Sequence, residues 1–231
     1  MLEKTRGVVL NYIKYRESSI IVRIYTEAFG MRSYIVNSVR KARAKQNKIA
    51  LFQPLSLLDL VVYEKPGKDL NRISEVQLAY PLQSIPFDVM KSSVALFITE
   101  VLGQLLKHEQ EANEHMFQYL YYAVQAFDQM EERFQNFHLQ FLLKAGQPLG
   151  LGVTTGDQII AEVIQWADDP TIAQQEKAVL EQLRSASFGD HIPMDNFMRR
   201  TVLAHLLRFY QEQVHGFGQI QSLAVLKEVL S

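Results

Sequence analysis

The stretch Ser19-Ile20-Ile21-Val22-Arg23-Ile24-Tyr25-Thr26 predicts a β-strand, because β-branched and aromatic residues dominate it. Its side chains form two alternating sets, one running from Ile20 to Thr26 and the other holding Arg23 between apolar neighbours. Residues 15–18 before it are typical of a turn. Residues 27–30 after it predict a hairpin loop, in which Gly30 is free to take a positive φ. The stretch is therefore expected to be one strand of an antiparallel sheet.

Four further strands are predicted around this one, each rich in β-branched, leucine or tyrosine residues and separated by turn signals such as Lys65-Pro66-Gly67-Lys68-Asp69. They span residues 4–15, 31–39, 55–63 and 71–80. The strand over residues 55–63 is so densely apolar that it suits burial on both faces. Five short strands with hairpin turns in the first 80 residues predict a small Greek-key barrel of the OB type.

The pattern changes at residues 81–86, after which the apolar residues recur at helical spacing. Helices are predicted at residues 88–106, 113–129, 131–145, 171–186, 195–214 and 220–230, with Thr171 and Asp195 as N-caps. Residues 159–167 suit either a strand or a helix. The expected fold class is α+β, with a five-stranded OB-fold β-barrel over residues 1–80 and an all-α helical domain over residues 81–231.

Charge is distributed unevenly along the chain. Residues 1–80 hold 14 Lys and Arg against 7 Asp and Glu, whereas residues 81–231 hold 10 against 18. The densest cationic stretch is residues 39–48, in which five of ten side chains are basic and none is acidic. Such a concentration of charge is typical of a loop that binds an anion, nucleic acid above all, although a solvated surface loop has the same composition.

Several function classes lack their usual residues. The chain has no cysteine, so it forms no disulfide and no thiolate-ligated zinc or iron–sulfur site. It has no phosphate-binding or dinucleotide-binding glycine motif, and its six histidines are scattered without a recognisable metal spacing. We therefore expect no catalysis, no cofactor, no metal and no small-molecule substrate. No signal peptide and no membrane-length apolar run is found, which favours a soluble, cytoplasmic protein without a membrane partner.

Binding is the function that remains. The predicted barrel carries further cations and interleaved aromatic residues, and OB barrels hold single strands by combining a basic groove with stacking platforms. The cations are Arg6, Lys14, Arg16, Arg23 and Arg32, and the aromatics are Tyr12, Tyr15, Tyr25, Phe29 and Tyr34. Strand alternation places each tyrosine more readily in the half-buried core than on a platform, so the cations carry the prediction.

Three successive motifs resemble the opening of the bacterial RecO family of recombination mediators. They are Thr5-Arg6-Gly7-Val8-Val9-Leu10, Tyr15-Arg16-Glu17-Ser18-Ser19-Ile20-Ile21-Val22 and Tyr25-Thr26-Glu27-Ala28-Phe29-Gly30. The basic loop, Leu51-Phe52-Gln53-Pro54-Leu55 and Glu75-Val76-Gln77-Leu78 follow in the same order as in the family. The resemblance covers roughly the first 80 residues, and the helical remainder agrees with the family in length and character.

This resemblance implies an OB barrel followed by a helical domain, and a role without enzymatic chemistry. RecO-like proteins bind single- and double-stranded DNA and anneal complementary strands. With RecR they load RecA onto DNA coated by single-strand-binding protein (SSB), whose acidic, apolar C-terminal tail they also bind. A nucleoid-associated cytoplasmic protein is implied. Carried onto this sequence, the DNA contacts are Arg32, Arg40, Lys41, Arg43, Lys45 and Lys48.

For the SSB tail, a cation beside an apolar pocket is needed. The predicted helix 195–214 offers Arg199, Arg200 and Arg208, with Phe197, Leu203 and Leu207 beside them. An ordinary amphipathic helix with an exposed basic edge is the alternative interpretation.

The chain departs from the family at residues 150–170, where many members carry a four-cysteine zinc module and this chain has no cysteine. Zinc binding is therefore not carried over. A second function also stays open, namely a protein-interaction scaffold whose basic barrel docks an acidic protein partner.

Overall fold

The computed structural model describes residues 1–37, 39, 48–65, 67–151, 157–167 and 169–230. Five strands come first along the chain: β1 (Leu2–Tyr15), β2 (Ser19–Thr26), β3 (Gly30–Val36), β4 (Leu57–Tyr63) and β5 (Leu70–Tyr80). They close into a barrel in the order β1-β2-β3-β5-β4. All neighbours are antiparallel except β3 and β5, which pair in parallel over Ser33–Ile35 and Leu70–Arg72. The predicted OB-type barrel is confirmed.

The barrel interior is filled by the inward set of each strand together with one residue from outside the sheet. Val22, Ile24 and Tyr34 have no solvent exposure, and Phe52 reaches the same core from a short 3-10 helix at Lys48–Phe52. In β4 only one side is in this core, because Leu58, Leu60 and Val62 are buried whereas Asp59 and Val61 between them are half-exposed. The expectation that this strand is buried on both faces was wrong, since the wall of a closed barrel has one outer face.

The helices that follow are α1 (Val89–Leu105), α2 (Glu114–Gln129), α3 (Phe137–Ala145), α4 (Asp157–Ile164), α5 (Pro170–Ser185), α6 (Asn196–Gln213) and α7 (Leu223–Val229). The segment left open between strand and helix is thus helical, as α4. The predicted helix at residues 131–145 begins later, because Arg133 has a left-handed φ of 61° and a 3-10 turn follows before α3. Within the described part of the chain, no helix is long and apolar enough to cross a membrane.

The two predicted N-caps had different outcomes. Asp195 is confirmed, because its carboxylate accepts a hydrogen bond of 2.7 Å from the backbone N–H of Met198. Thr171 was wrong: Asp169 caps α5 by accepting from the N–H groups of Thr171 and Ile172, and Pro170 occupies the first turn. A proline at the first helical position has no N–H to satisfy, so the cap lies one residue before it.

The described residues form two compact units, Met1–Tyr121 with Ile220–Leu226 and Tyr122–Gln219 with Lys227–Ser231. The first unit holds the barrel, α1 and the start of α2. In it, the carboxylate of Glu100 accepts from the backbone N–H groups of Gln221 at 2.7 Å and Ser222 at 2.8 Å. The division predicted after residue 80 stays a prediction.

The second unit is helical and has its own aromatic core. The rings of Phe127 and Phe137 stack at 4.2 Å between centroids, and the buried hydroxyl of Tyr210 donates to the carbonyl oxygen of Leu142 at 2.6 Å. His138 is completely buried in this unit.

Candidate nucleic-acid interface

Arg6 on β1 belongs to an internal network of the first unit. Its guanidinium donates to both carboxylate oxygens of Glu27, with Nε at 2.9 Å and Nη2 at 2.6 Å. It also lies 5.3 Å from the ring centre of Phe117 and 4.9 Å from that of Tyr121 on α2. The hydrogen bonds to Glu27 raise the pKa of Arg6, and the same bonds hold the pKa of Glu27 below its usual range. A cation paired in this way contributes little net field to an approaching phosphate.

Arg32 on β3, one of the predicted DNA contacts, is likewise engaged. Its Nε donates to the Glu64 carboxylate at 2.9 Å, and its Nη1 donates to the carbonyl oxygens of Met31 at 3.0 Å and Gln110 at 2.9 Å. The start of β3 approaches residues 109–111 closely, and this approach requires a glycine. Gly30 has a φ of +65°, and a Cβ at that position would overlap the carbonyl oxygens of Glu109 and Glu111. To reach a phosphate, Arg32 would have to leave these bonds, so its DNA contact stays a prediction without geometric support.

The other predicted DNA contacts belong to the basic loop. Lys48 is exposed at the first residue of the 3-10 helix and forms no ion pair with a described residue. Arg40, Lys41, Arg43 and Lys45 lie outside the described residues.

Where the loop leaves the barrel, its start is held against the turn between β1 and β2. The N–H of Val39 donates to the carbonyl oxygen of Ser18 at 3.0 Å, and the Ser19 hydroxyl donates to the side chain of Asn37 at 3.0 Å. The basic loop therefore begins beside the turn that carries Arg16.

The outer surface of β1, β2, β3 and the first residues of β5 forms a continuous face, which we call the isoleucine face. Strand pairing places Ile13, Ile21, Ile35 and Arg72 side by side in one row across the four strands. The neighbouring row holds Asn11, Arg23, Ser33 and Leu70. The side chains of Arg23 and Arg72 form no hydrogen bond or ion pair with any residue that the structure describes.

Other exposed cations lie at the margins of this face. They are Arg16 in the turn after β1, and Lys65 and Lys68 in the turn between β4 and β5, whereas Lys14 pairs with the core residue Ile20 and belongs to the other side of β1. Sequence reasoning named Arg23 among the barrel cations but missed Arg72, which lies near it on this face. Its position depends on the three-residue parallel pairing of β3 and β5, for which the sequence carries no local signal.

The aromatic residues of the barrel follow the alternation argument. Tyr25 and Tyr34 have no solvent exposure, and burial raises the pKa of both hydroxyls. Tyr12 and Phe29 pack against the barrel core. Only Tyr15 of the five is half-exposed outside this core, and the guanidinium of Arg16 lies 5.2 Å from its ring centre. These five residues therefore do not form a row of stacking platforms on the isoleucine face, although the exposed Tyr63 pairs with Arg72 at its edge.

The arginines predicted to hold an acidic tail lie on α6 in the second unit. Arg199 donates to the side chains of Asn136, at 2.8 Å, and Asn196, and burial lowers its pKa. Arg208 pairs with Glu212 at 3.0 Å and lies 4.5 Å from the Trp166 ring centre.

Arg200 is the member of this set that is exposed without a described partner. Among the apolar neighbours predicted to line the pocket, Leu203 and Leu207 are buried, whereas Phe197 is 60% exposed. The structure brings Arg200 and Phe197 onto one exposed end of α6, and the other two arginines serve contacts within the unit.

The zinc module implied by the resemblance does not fit this chain. No cysteine occurs anywhere in the sequence, and no group of three or more metal-ligating side chains is found among the described residues. The segment where the module would stand includes α4, an ordinary helix, and residues 152–156 and 168, which lie outside the described ones.

Two family models match the chain. The one described as Recombination protein O N terminal covers residues 1–82, and the one described as Recombination protein O C terminal covers residues 86–158. The DNA repair protein RecO of Phocaeicola vulgatus is 40% identical over the whole of both chains. That of Flavobacterium psychrophilum is 32% identical over 99% of each chain, and that of Bacteroides fragilis is 33% identical over 99% of this chain and 90% of its own.

Proposed function

This chain belongs to the RecO family of DNA repair proteins, and from that premise we propose that it is a DNA-binding recombination mediator. It binds single- and double-stranded DNA, anneals complementary strands, and together with RecR helps load RecA onto DNA coated by SSB. It works in the cytoplasm, close to the nucleoid, and catalyses no covalent step.

The observation that supports this proposal is the set of unpaired cations on the isoleucine face. Arg23 and Arg72 stand on neighbouring rows of the barrel surface without a described carboxylate partner, and the basic loop begins at the edge of that face. Cations arranged in this way replace the counterions condensed on phosphates, and release of those counterions drives binding. Because phosphates are the same in every sequence, such binding is independent of base sequence.

Annealing follows from the same electrostatics. Two complementary strands repel each other through their phosphates, and a protein that neutralises part of that charge lets them lie close enough to pair. The barrel needs no reactive group for this purpose, only a surface on which bound strands remain mobile. The helical unit is then free to hold protein partners.

The exposed pair Arg200 and Phe197 on α6 combines a cation with an apolar side chain, which is the chemistry that an acidic, apolar SSB tail requires.

The experiment is fluorescence anisotropy of a labelled single-stranded 20-mer at several salt concentrations. For the double variant R23Q/R72Q, we expect weaker binding to all sequences alike. The slope of log affinity against log salt should become shallower by about 1.4, since each single-strand phosphate contact contributes about 0.7. The triple variant of Arg40, Lys41 and Arg43 to Ala tests the basic loop in the same way.

The matched control is K227Q, which removes an exposed cation from the second unit and should leave the slope unchanged. No binding of the wild-type protein even at low salt would overturn the proposal. The basic barrel would then dock an acidic protein partner.

A further inference from the structure

The isoleucine face has an apolar centre that phosphate binding does not explain. Ile13 is 61% exposed, and Ile21 and Ile35 beside it are partly exposed. Strand pairing sets the three side chains next to one another on adjacent strands. Since neighbouring strands lie about 4.8 Å apart, the row is about 10 Å long. Contiguous exposed apolar residues on a soluble domain mark a contact surface more often than scattered single ones do.

The surroundings of this row indicate which kind of molecule covers it. Arg72 follows Ile35 in the row, with the exposed Tyr63 beside it on β4, and Arg23 lies in the neighbouring row. Neither arginine has a carboxylate partner among the described residues. An apolar strip bordered by unpaired cations is complementary to a ligand with apolar surfaces and regularly spaced negative charges. An unpaired strand of nucleic acid has this composition, because its base faces are exposed and its phosphates are adjacent to them.

We infer that the row Ile13, Ile21 and Ile35 contacts unstacked bases and so makes the barrel bind single-stranded DNA more tightly than double-stranded DNA. The inference rests on the proposed function and deepens it. In a duplex the base faces are stacked inside the helix, so only phosphates and groove edges can reach a barrel surface. Arg23 and Arg72 therefore serve both forms of DNA, whereas the isoleucines serve the single strand alone.

The aliphatic character of the row matters for what happens after binding. An aromatic platform holds a base by stacking, which contributes about 1–3 kcal/mol per base. Isoleucine offers dispersion and burial without ring stacking, so each base is held more weakly and can leave the surface. When two bound strands pair, their bases leave the isoleucine row and the duplex keeps only the electrostatic contacts. The same surface thus binds the reactants of annealing more tightly than the product.

The test compares three labelled probes of equal length: a single-stranded 20-mer, the corresponding duplex, and a 20-mer with abasic sites along its length. For the variant I13S we expect the affinity for the single strand to fall about fivefold, with affinities for the duplex and the abasic strand unchanged. Because Ile13 is mostly exposed, the substitution should leave the fold intact, which circular dichroism checks. The matched control is V89S, which removes an exposed valine from the start of α1, outside the barrel.

The possible outcomes separate the inference from the proposed function. If I13S lowers the affinities for the single strand and the duplex equally, or changes neither affinity, the isoleucine row does not select unpaired bases. The inference is then wrong, although the DNA-binding function stands. If the loss on the abasic strand equals that on the intact strand, the contact is not with bases and the inference is again overturned. If the wild-type protein binds none of the probes, the proposed function itself fails.

Discussion

Four arginines on the barrel strands differ in a way that their sequence positions do not reveal. Arg6 and Arg32 have carboxylate partners, Glu27 and Glu64, and further contacts with the segment and helix that follow α1. Arg23 and Arg72 have no described partner and stand on the isoleucine face. One pair joins the parts of the first unit, and the other pair is available to a ligand.

This difference shows that counting charge overestimates a binding surface. A guanidinium held by two hydrogen bonds to a carboxylate forms a nearly neutral pair, and its field falls off steeply with distance. The net charge of residues 1–80 is the same whether a cation is paired or not. Only the arrangement of carboxylates around each cation distinguishes the two classes.

The largest expected effect comes from disturbing the close contact between Gly30 on β3 and residues 109–111. In G30A, a Cβ would overlap the carbonyl oxygens of Glu109 and Glu111, and the φ of +65° would be strained. We expect the free energy of unfolding to fall by about 3 kcal/mol, measured by urea denaturation. The control is G67A, where φ is +72° but nothing lies within 4 Å of the added carbon, so only about 1 kcal/mol should be lost. Equal losses in the two variants would mean that the close approach contributes nothing.

A second prediction concerns His138, a basic side chain that is buried in its neutral form. Complete burial lowers the pKa of His138 to about 3, assisted by the nearby Arg199 cation. In the unfolded chain the imidazole of His138 takes up a proton as the pH falls through about 6.5, whereas in the folded chain it stays neutral. The contribution of His138 to stability is therefore complete above pH 6.5 and is lost as the pH falls towards 3. Below pH 6.5 the free energy of unfolding falls by about 1.4 kcal/mol per pH unit, or by roughly 2–3 kcal/mol between pH 6.5 and 4.5.

The measurement is the free energy of unfolding of the wild type and of H138Q at pH 6.5, 5.5 and 4.5. The variant should lose less stability over this interval than the wild type does, even if it is less stable throughout. The same substitution at the exposed His191 should retain the wild-type slope. A slope in H138Q identical to that of the wild type would show that His138 does not carry the pH dependence.

The third prediction compares a substitution at a paired arginine, R6Q, with one at an unpaired arginine, R23Q. R6Q breaks the bonds to Glu27 and the contacts with Phe117 and Tyr121, and should cost about 1–2 kcal/mol of stability with little change in the salt slope of DNA binding. R23Q should do the reverse, with a shallower salt slope and a change in stability within about 0.5 kcal/mol. If both variants affected the same quantity, the distinction between the two classes would be lost.

The smallest expected effect concerns the residue that caps the start of α5. D169A removes the acceptor for the N–H groups of Thr171 and Ile172 and should lower the melting temperature. T171A removes the residue that the sequence pattern favoured as the cap and should change the melting temperature less. The opposite order would restore Thr171 as the cap.

Sequence reasoning predicted those parts of the fold that depend on local pattern. The strand Ser19–Thr26 was predicted with its bounds, because the alternation of its side chains matches the wall of a barrel. The barrel type also followed from five strands and their turns. The closing contact between Ser33–Ile35 and Leu70–Arg72 could not be predicted, because it joins distant residues in parallel and leaves no periodic trace.

The candidate site was predictable only as a composition. Charge and a family resemblance pointed to a basic barrel, but Arg6 and Arg32 were counted with Arg23. The separation depends on Glu27, on Glu64 and on the segment 109–111, which reach these arginines only in the folded chain. The contributions of Arg40, Lys41, Arg43, Lys45 and Lys48 to DNA binding stay predictions.

The bonds from Gln221 and Ser222 to Glu100 also have a consequence for synthesis on the ribosome. Gln221 follows Glu100 by 121 positions, yet residues 220–226 belong to the same compact unit as the barrel. At about 5–20 residues per second, a ribosome needs roughly 6–24 s to add that stretch. Until that stretch has been added, the first unit lacks residues 220–226, and the carboxylate of Glu100 lacks the two N–H groups that bind it. The N-terminal unit is therefore completed only after residues 220–226 have been synthesised.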